Sequence, residues 1–164
     1  MISENVMGAE NQQERLDKKW VVGFVDGEGC FHVSVNKMDC MKLGWQVLPE
    51  FRIVQHERDE SVLYRLKEVL DCGNVVVNHG DRKELRVRGI EDLNKIVKFF
   101  EAHELQTTKK DNFNLFAKVI SMMNKGQHLT EHGLKEIAKI ASLMNRQVRR
   151  KYLESSETIR QTRK

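Results

Sequence analysis

Two acidic residues at the end of an apolar stretch carry the clearest chemical signal in the sequence. Residues 21–29 read VVGFVDGEG, so Asp26 and Glu28 flank Gly27. A carboxylate at the carboxyl end of a helix faces the negative end of the helix dipole, which is unfavourable unless a cation lies beside it. A divalent metal ion supplies such a cation. The segment is therefore a candidate metal site, and a pair of ordinary turn acids is the alternative interpretation.

The periodicity of apolar residues predicts the elements that position these acids. Pro49 lies on the inward side of the second predicted strand and indicates an irregularity or a sheet edge. The order of elements lacks the strand–helix–strand repeat of parallel sheets. It predicts an α+β fold, with a four-stranded antiparallel sheet and helices packed on one face. Helices are predicted over residues 14–26, 60–70, 90–105, 109–124 and 129–151, and strands over residues 30–37, 45–55, 73–79 and 83–89.

The other face of the predicted sheet, called the open face below, carries polar residues of mixed type. An antiparallel sheet can leave one face in water, so an ordinary solvated surface is one interpretation. Mixed donors and acceptors are also what the reading of DNA base edges requires, with arginine suited to guanine and amides to adenine. The candidates for guanine contacts are Arg52, Arg86 and Arg88, and those for adenine are Gln46 and Asn78. The full set is His32, Ser34, Asn36, Gln46, Glu50, Arg52, Asn78, Glu84, Arg86 and Arg88.

The composition is that of a folded chain with a moderate basic excess. The 164 residues include 28 basic and 24 acidic ones, which gives a net charge of +4 and is compatible with a nucleic-acid partner. A single domain is expected over residues 14–151, between a flexible segment 1–13 and a polar basic tail 152–164. No apolar run reaches the roughly 18 residues of a membrane helix, and the first residues lack a signal-peptide pattern. An intracellular protein without a membrane partner is therefore expected. The spacings of its three cysteines and six histidines do not match zinc sites.

Residues 21–29 resemble the LAGLIDADG motif of homing endonucleases, in the variant Gly-Phe-Val-Asp-Gly-acid-Gly. The predicted elements are similar to the α-β-β-α-β-β-α fold of that family, over roughly residues 14–125. Val21-Val22 stand where family members commonly have Leu-Ala, and Glu28 stands where Asp is usual. The resemblance implies a Mg²⁺-dependent, sequence-specific endonuclease that hydrolyses both strands of a long, near-palindromic double-stranded DNA site. It also implies an intron-encoded protein that promotes the mobility of its intron.

The resemblance assigns the metal site to the end of the motif. Glu28, together with the carbonyl of Gly27, would bind the metal ion and position the hydrolytic water. Mg²⁺ is the expected ion, and Mn²⁺ or Ca²⁺ could occupy the same site. Asp26 would be a helix-end residue rather than a primary ligand.

Further catalytic residues follow from the same resemblance. Gln55 matches the polar residue that orders water in the active site. Lys109 matches the basic residue near the scissile phosphate, and Lys110 is the alternative if the register differs by one. Arg58 would be an additional phosphate contact.

The chain contains one such motif and no internal repeat of it. Because one carboxylate cannot build a two-metal site, a homodimer is implied in which each active site uses an acid from both protomers. Trp20, Gly23 and Phe24 on the motif helix would form the dimer interface. A strand of about ten residues spans roughly 33 Å, the length of about ten base pairs, so a dimer would cover on the order of 20 base pairs.

Two other classes of function remain as alternatives. A protein of this type can act as a maturase that helps an intron RNA to fold, or can bind DNA without cutting it, and the presence of Glu28 favours the nuclease. A small metabolic enzyme that uses Asp26 and Glu28 as an acid–base pair would leave the polar open face unexplained. The expected location is a chloroplast or mitochondrion if the gene is in an organelle, and otherwise a prokaryotic cytoplasm.

Overall fold

A computed structural model describes residues 15–144 of the chain. Short 3-10 helices at Glu57–Asp59 and Gln127–Leu129 precede the second and fifth α-helices. In chain order the main elements are α1 (Lys18–Glu28), β1 (Gly29–Lys37), β2 (Trp45–His56), α2 (Glu60–Leu70), β3 (Asn74–His79), β4 (Arg82–Val87), α3 (Ile90–Ala102), α4 (Lys109–Asn124) and α5 (Glu131–Leu143).

The four strands form one antiparallel sheet in the order β1-β2-β4-β3. The helices cover one face of this sheet, and strand residues such as Phe31 and Leu85 are buried beneath them. The predicted α+β fold is confirmed. Pro49 pairs with Val33 of β1, whereas the pairing of β2 with β4 begins at Phe51. Among the described strands, Pro49 therefore has a neighbour on one side, as the predicted sheet edge requires.

Phe31 of β1 is the centre of the hydrophobic core. Its ring centroid lies 5.0 Å from that of Phe51 in β2 and 5.7 Å from that of Phe100 in α3. It lies 5.4 Å from the ring centroids of both Phe113 and Phe116 in α4. Aromatic pairs at these separations are favourable beyond the area that they bury. This cluster fixes the first two strands against the two helices that follow the second hairpin.

The limits of α1 differ from the predicted range 14–26. The helix begins at Lys18 because the Asp17 carboxylate accepts hydrogen bonds from two backbone N–H groups of the first turn. It also continues through Gly27 and ends at Glu28, since the N–H of Gly29 still donates to the carbonyl of Val25. The helix thus ends within the Gly27-Glu28-Gly29 segment, two residues after the predicted end at residue 26.

The C-terminal helices are shorter than predicted, whereas the predicted bounds of α2 and α4 are confirmed. α3 ends at Ala102 rather than at residue 105. α5 begins at Glu131, and Met144 leaves it in an extended conformation with its side chain only 1% exposed. The helix therefore ends where the extended backbone of Met144 places its side chain in the core. The predicted segments 1–13 and 152–164, and residues 145–151 of the last predicted helix, lie outside the described residues.

The two glycines that flank Glu28 allow a matched test of the packing between α1 and β1. A Cβ atom on Gly29 would lie 2.6 Å from the Val25 side chain and 2.9 Å from its carbonyl oxygen, whereas one on Gly27 would meet no atom within 4 Å. We expect Gly29→Ala to lower the free energy of unfolding by about 1–3 kcal/mol through overpacking. Gly27→Ala should raise it by about 0.5–1 kcal/mol, because glycine is unfavourable inside a helix. Urea denaturation of both variants measures the difference, and equal effects would contradict the close packing.

Candidate active site

The end of the motif helix brings Glu28 and Gln55 together. Glu28 is the last residue of α1 and is exposed. Gln55, near the end of β2, donates a hydrogen bond from its Nε2 to Oε2 of Glu28 over 3.4 Å. The amide therefore orients a carboxylate that the helix leaves free in solvent.

Lys109 lies beside the same segment. It is the first residue of α4, and its Nζ donates to the carbonyl of Gly29 at 2.6 Å and to that of Gly27 at 3.3 Å. Burial lowers the pKa of Lys109 below its usual value, while neighbouring acidic groups, Cys30 first among them, act in the opposite direction. Lys110 instead forms an ion pair with Glu104. Of the two candidate lysines, Lys109 is the one at the motif.

Asp26 holds the loop that leads into α4. Its carboxylate accepts hydrogen bonds from the N–H of Gln106 at 2.8 Å, and from the N–H and hydroxyl of Thr107 at 3.2 and 2.7 Å. The Thr107 hydroxyl in turn accepts a hydrogen bond from the N–H of Lys109 at 3.2 Å. Through Thr107, Asp26 thus connects the motif helix to the backbone of Lys109. The sequence placed Asp26 at the helix end, but contained no signal for this contact across 81 positions.

The hydrogen bonds to Asp26 also affect its acidity. Burial alone would raise the pKa of this carboxyl group. The hydrogen bonds from Gln106 and Thr107, together with the positive charge of Lys109, outweigh burial and lower the pKa below the usual Asp value. Asp26 is therefore ionised and occupied by protein donors.

The donors at the motif are suited to a hard divalent cation. The Glu28 carboxylate and the Gly27 carbonyl offer oxygen atoms, which are the ligands that Mg²⁺, Mn²⁺ and Ca²⁺ prefer. Within residues 15–144, no group of three or more His, Cys, Asp or Glu side chains is placed to hold a metal ion. Because Asp26 is occupied by the loop, Glu28 is the carboxylate that one chain presents at this position. The donor set fits a metal site that a second carboxylate completes.

The ten residues predicted for the open face lie on adjacent strands. Asn36 pairs with Gln46 and His32 pairs with Glu50 between β1 and β2, while Arg52 of β2 pairs with Arg86 of β4. The Asn36 amide also donates to the Ser34 hydroxyl at 3.2 Å. The remaining members continue the same face: Asn78 at the end of β3, Glu84 in β4, and Arg88 directly after β4.

Two of these ten residues are not solvated. Glu50 is 6% exposed and Glu84 is 1% exposed. Their carboxylates are covered by side chains of the same face: Arg52 and Arg88 for Glu50, and Asn78 and Arg86 for Glu84. The interpretation of the open face as an ordinary solvated surface therefore does not hold at these two positions, because arginine side chains fold over the acids.

The residues predicted for a dimer interface lie on the outer side of α1. Trp20 is 44% exposed and stacks on Phe24 with ring centroids 4.9 Å apart. A Cβ atom on Gly23 would meet no atom within 4 Å. Lys19 and Val22 line a groove beside Gly23, and the loop from His103 to Thr107 forms its other wall. This side of the helix is open in the single chain.

Two further residues near the end of β2 have partners of their own. His56 pairs with Asp81 over 3.0 Å, and Arg58 pairs with Asp59 over 3.4 Å. Arg58, the predicted phosphate contact, therefore pairs with a neighbouring acid in the single chain.

No helix among residues 15–144 is long and apolar enough to span a membrane.

The family of the chain follows from comparison with known proteins. Residues 21–120 match the family model described as LAGLIDADG endonuclease, and this range includes the motif, the whole sheet and most of α4. The chain belongs to the LAGLIDADG endonuclease family. The resemblance that the motif carries is thus confirmed.

Several individual LAGLIDADG relatives are similar to this chain. It is 35% identical over 129 residues to probable intron-encoded endonuclease 3 of Neurospora crassa, a match that covers 77% of this chain and 24% of that protein. The chain spans about a quarter of the length of the curated relatives that it matches first, with 24%, 29% and 26% covered.

Two solved structures are similar over most of the described fold. The homing endonuclease I-TnaI has a TM-score of 0.78 and 54% identity, covering 80% of this chain and 90% of that chain. The LAGLIDADG homing endonuclease I-SmaMI, bound to cleaved DNA, has a TM-score of 0.82 and 31% identity, covering 88% of this chain and 48% of that one.

Asp26 gives this LAGLIDADG protein a pH-dependent contribution to stability. We expect Asp26→Asn to lower the free energy of unfolding near neutral pH by about 1.5–3 kcal/mol, because an amide accepts these hydrogen bonds less well than a carboxylate. The folded-state pKa is lowered, so the contribution is present above the unfolded-state pKa and is lost as pH falls through the folded-state value. Urea denaturation across acidic and neutral pH measures this.

Asp39→Asn provides the control, because Asp39 is exposed in the loop between β1 and β2 and pairs only loosely with Lys37, at 3.8 Å. Its stability curve should follow that of the wild type at every pH. A constant offset between Asp26→Asn and wild type, without convergence in acid, would argue against an ionised Asp26 as the source.

Proposed function

We propose that this protein is a homing endonuclease that cuts both strands of a long, near-palindromic double-stranded DNA site as a homodimer, and thereby promotes the mobility of the intron that encodes it. The observation that carries the proposal is the convergence of Glu28, Gln55 and Lys109 at the end of the sheet where β1 begins and β2 ends. The polar residues of the open face lie on the same two strands and on their neighbours. A hydrolytic centre adjoining a surface of hydrogen-bonding side chains is what site-specific cleavage of DNA requires.

Each residue of this centre has a chemical role in phosphodiester hydrolysis. Glu28, with the Gly27 carbonyl, would hold a divalent ion, for which we propose Mg²⁺. When bound, such an ion would supply charge relief at the leaving oxygen and favour ionisation of the attacking water. Gln55 orients the Glu28 carboxylate and orders water beside it. Lys109 keeps a positive charge next to the motif, where it would face the scissile phosphate.

The open face supports recognition of a long site. β2 has 12 residues, a length of about 40 Å that matches roughly 12 base pairs. The arginines and amides of the open face provide the donor patterns that read guanine and adenine in the major groove. The similarity to I-SmaMI, a protein whose structure contains cleaved DNA, supports DNA as the partner of this face.

The homodimer follows from the number of carboxylates. One chain presents Glu28 at the motif, and a two-metal centre needs acids from two sides. Two chains related by a two-fold axis along the open side of α1 would bring both Glu28 side chains together, with Trp20, Gly23 and Phe24 at the contact. Two cuts, one in each strand, follow from this symmetry. Relatives named as intron-encoded endonucleases support the assignment to intron mobility.

The proposal predicts loss of cleavage without loss of fold when the Glu28 charge is removed. Purified protein should cut discrete sites in a randomised DNA library with Mg²⁺ and not with EDTA. Glu28→Gln should lower the cleavage rate by at least about a hundredfold, because the carboxylate holds the ion and its water. Binding of the selected DNA, measured with Ca²⁺, should remain.

The matched control is Glu91→Gln, which makes the same substitution at an exposed position in the first turn of α3. It should cut like the wild type. Wild-type protein that binds nucleic acid but does not cut it with any divalent ion would reject the nuclease. Preferential binding to intron RNA in that case would indicate a maturase.

The homodimer is tested at Gly23. We expect Gly23→Leu to leave the stability of the single chain unchanged or slightly raised, since leucine favours helices and the space is open. Self-association should weaken by about tenfold or more, which corresponds to ~1.4 kcal/mol or more. Sedimentation equilibrium measures the dimer, and cleavage of both strands should fall in parallel.

Ser61→Leu is the control, because Ser61 is exposed in the first turn of α2. It adds the same side chain to a helix surface outside the proposed interface. Self-association of Gly23→Leu equal to that of Ser61→Leu and wild type would exclude this side of α1 as the interface.

A further inference from the structure

The open face contains two carboxylates that are buried although the face itself is not covered by helices. Glu50 and Glu84 are 6% and 1% exposed, whereas the guanidinium groups around them stay partly in solvent. Acidic side chains are almost never buried in this way unless they are paired. Their oxygens are occupied by protein donors.

Glu50 connects Arg52 of β2 with Arg88, which directly follows β4. Its Oε2 accepts from Nε and Nη2 of Arg88 at 2.8 and 2.7 Å, while its Oε1 lies 3.6 Å from Nη1 of Arg52. The side chains of Arg88 and Arg52 are still 47% and 39% exposed. One carboxylate thus holds two guanidinium groups at the surface without covering them.

Glu84 makes the corresponding contacts on β4. Its Oε1 accepts from Nε and Nη2 of Arg86, and its Oε2 accepts from the Asn78 amide at 2.7 Å. Arg86 remains 33% exposed. The carboxylate therefore fixes one guanidinium and one amide, which are the two donor types that read guanine and adenine.

These contacts change what the arginines can do. An arginine has five N–H donors, so a guanidinium that gives one edge to a carboxylate retains donors for a guanine. Because its side chain is already ordered, less conformational entropy is lost when DNA binds. The three guanidinium groups face two carboxylates, which leaves one net positive charge. The reduced net charge weakens the non-specific attraction between the open face and DNA phosphates.

We propose that Glu50 and Glu84 are positioning residues that set DNA sequence specificity by holding the arginines of the open face. This inference rests on the proposed function, because it assumes that the open face binds DNA. The sequence analysis placed these two acids among the residues that bind DNA directly. In this inference they act instead through the arginines that they hold.

The test compares Glu84→Gln with wild type on the DNA site selected from the library, on its single-base variants and on random DNA. The glutamine keeps the size of the side chain and removes its charge. We expect affinity for random DNA to rise and the salt dependence of binding to steepen. Discrimination should fall about tenfold at the base positions read by Arg86 and Asn78, and elsewhere it should be unchanged.

A double variant separates positioning from direct contact. If Glu84 acts through its arginine, Glu84→Gln should not alter discrimination further at the base positions read by Arg86 in an Arg86→Gln background. An equal loss of discrimination in both backgrounds would overturn the inference. Glu91→Gln controls for net charge, since it removes one acid without touching the open face, and should leave the profile intact.

Glu50→Gln provides a second, independent arm. It should relax discrimination at the positions read by Arg52 and Arg88, and thermal unfolding of each variant reports whether it folds. Wild-type protein without selective DNA binding would reject the proposed function itself. Selective binding by wild type with unchanged profiles in both folded variants would reject only the role of the two acids.

Discussion

The direct passage from α1 into β1 is the constraint on which the rest of the structure depends. Glu28 ends the helix and Gly29 begins the strand, with no loop between them. This is sterically allowed because Gly29 lies against Val25, where a Cβ atom would clash. The helix axis is thereby fixed relative to the sheet. That junction places Glu28 at the start of the sheet, where Gln55 of β2 reaches its carboxylate.

Three acids of this chain have the same chemistry but different surroundings, and their surroundings decide their roles. Asp26 is occupied by the N–H groups and the hydroxyl of the loop before α4, so it acts as a structural anchor. Glu28 is exposed, with one long hydrogen bond, so it stays available to a cation. Glu84 is buried and paired with a guanidinium, so it neutralises charge within the open face. Sequence position alone would not separate these cases.

The sequence predicted elements well where local signals agreed. The bounds of α2 and α4 were predicted correctly because apolar stripes and flanking polar residues coincide with the helix ends. The start of α1 was missed because the cap at Asp17 was not recognised, and the end of α5 was missed because burial of Met144 is a tertiary effect. Alternation along the strands identified the face on which Glu50 and Glu84 lie. It could not reveal that both acids would be buried, because the conformations of Arg52 and Arg86 on the same strands, and the approach of Arg88 to Glu50, depend on the three-dimensional structure.

The phenylalanine cluster around Phe31 places nearly all of the packing energy on the helix side of the sheet. Exposed side chains of the open face, such as Asn36, bury little surface, so substitutions at such positions are nearly neutral for folding. Over evolutionary time, target preference can therefore drift while the scaffold is retained. The ion pairs of the open face restrict that drift, because loss of an arginine that pairs with Glu50 or Glu84 leaves a buried, unpaired charge. Changes at these positions are expected to become fixed as pairs, so that preference for new targets arises in steps rather than continuously.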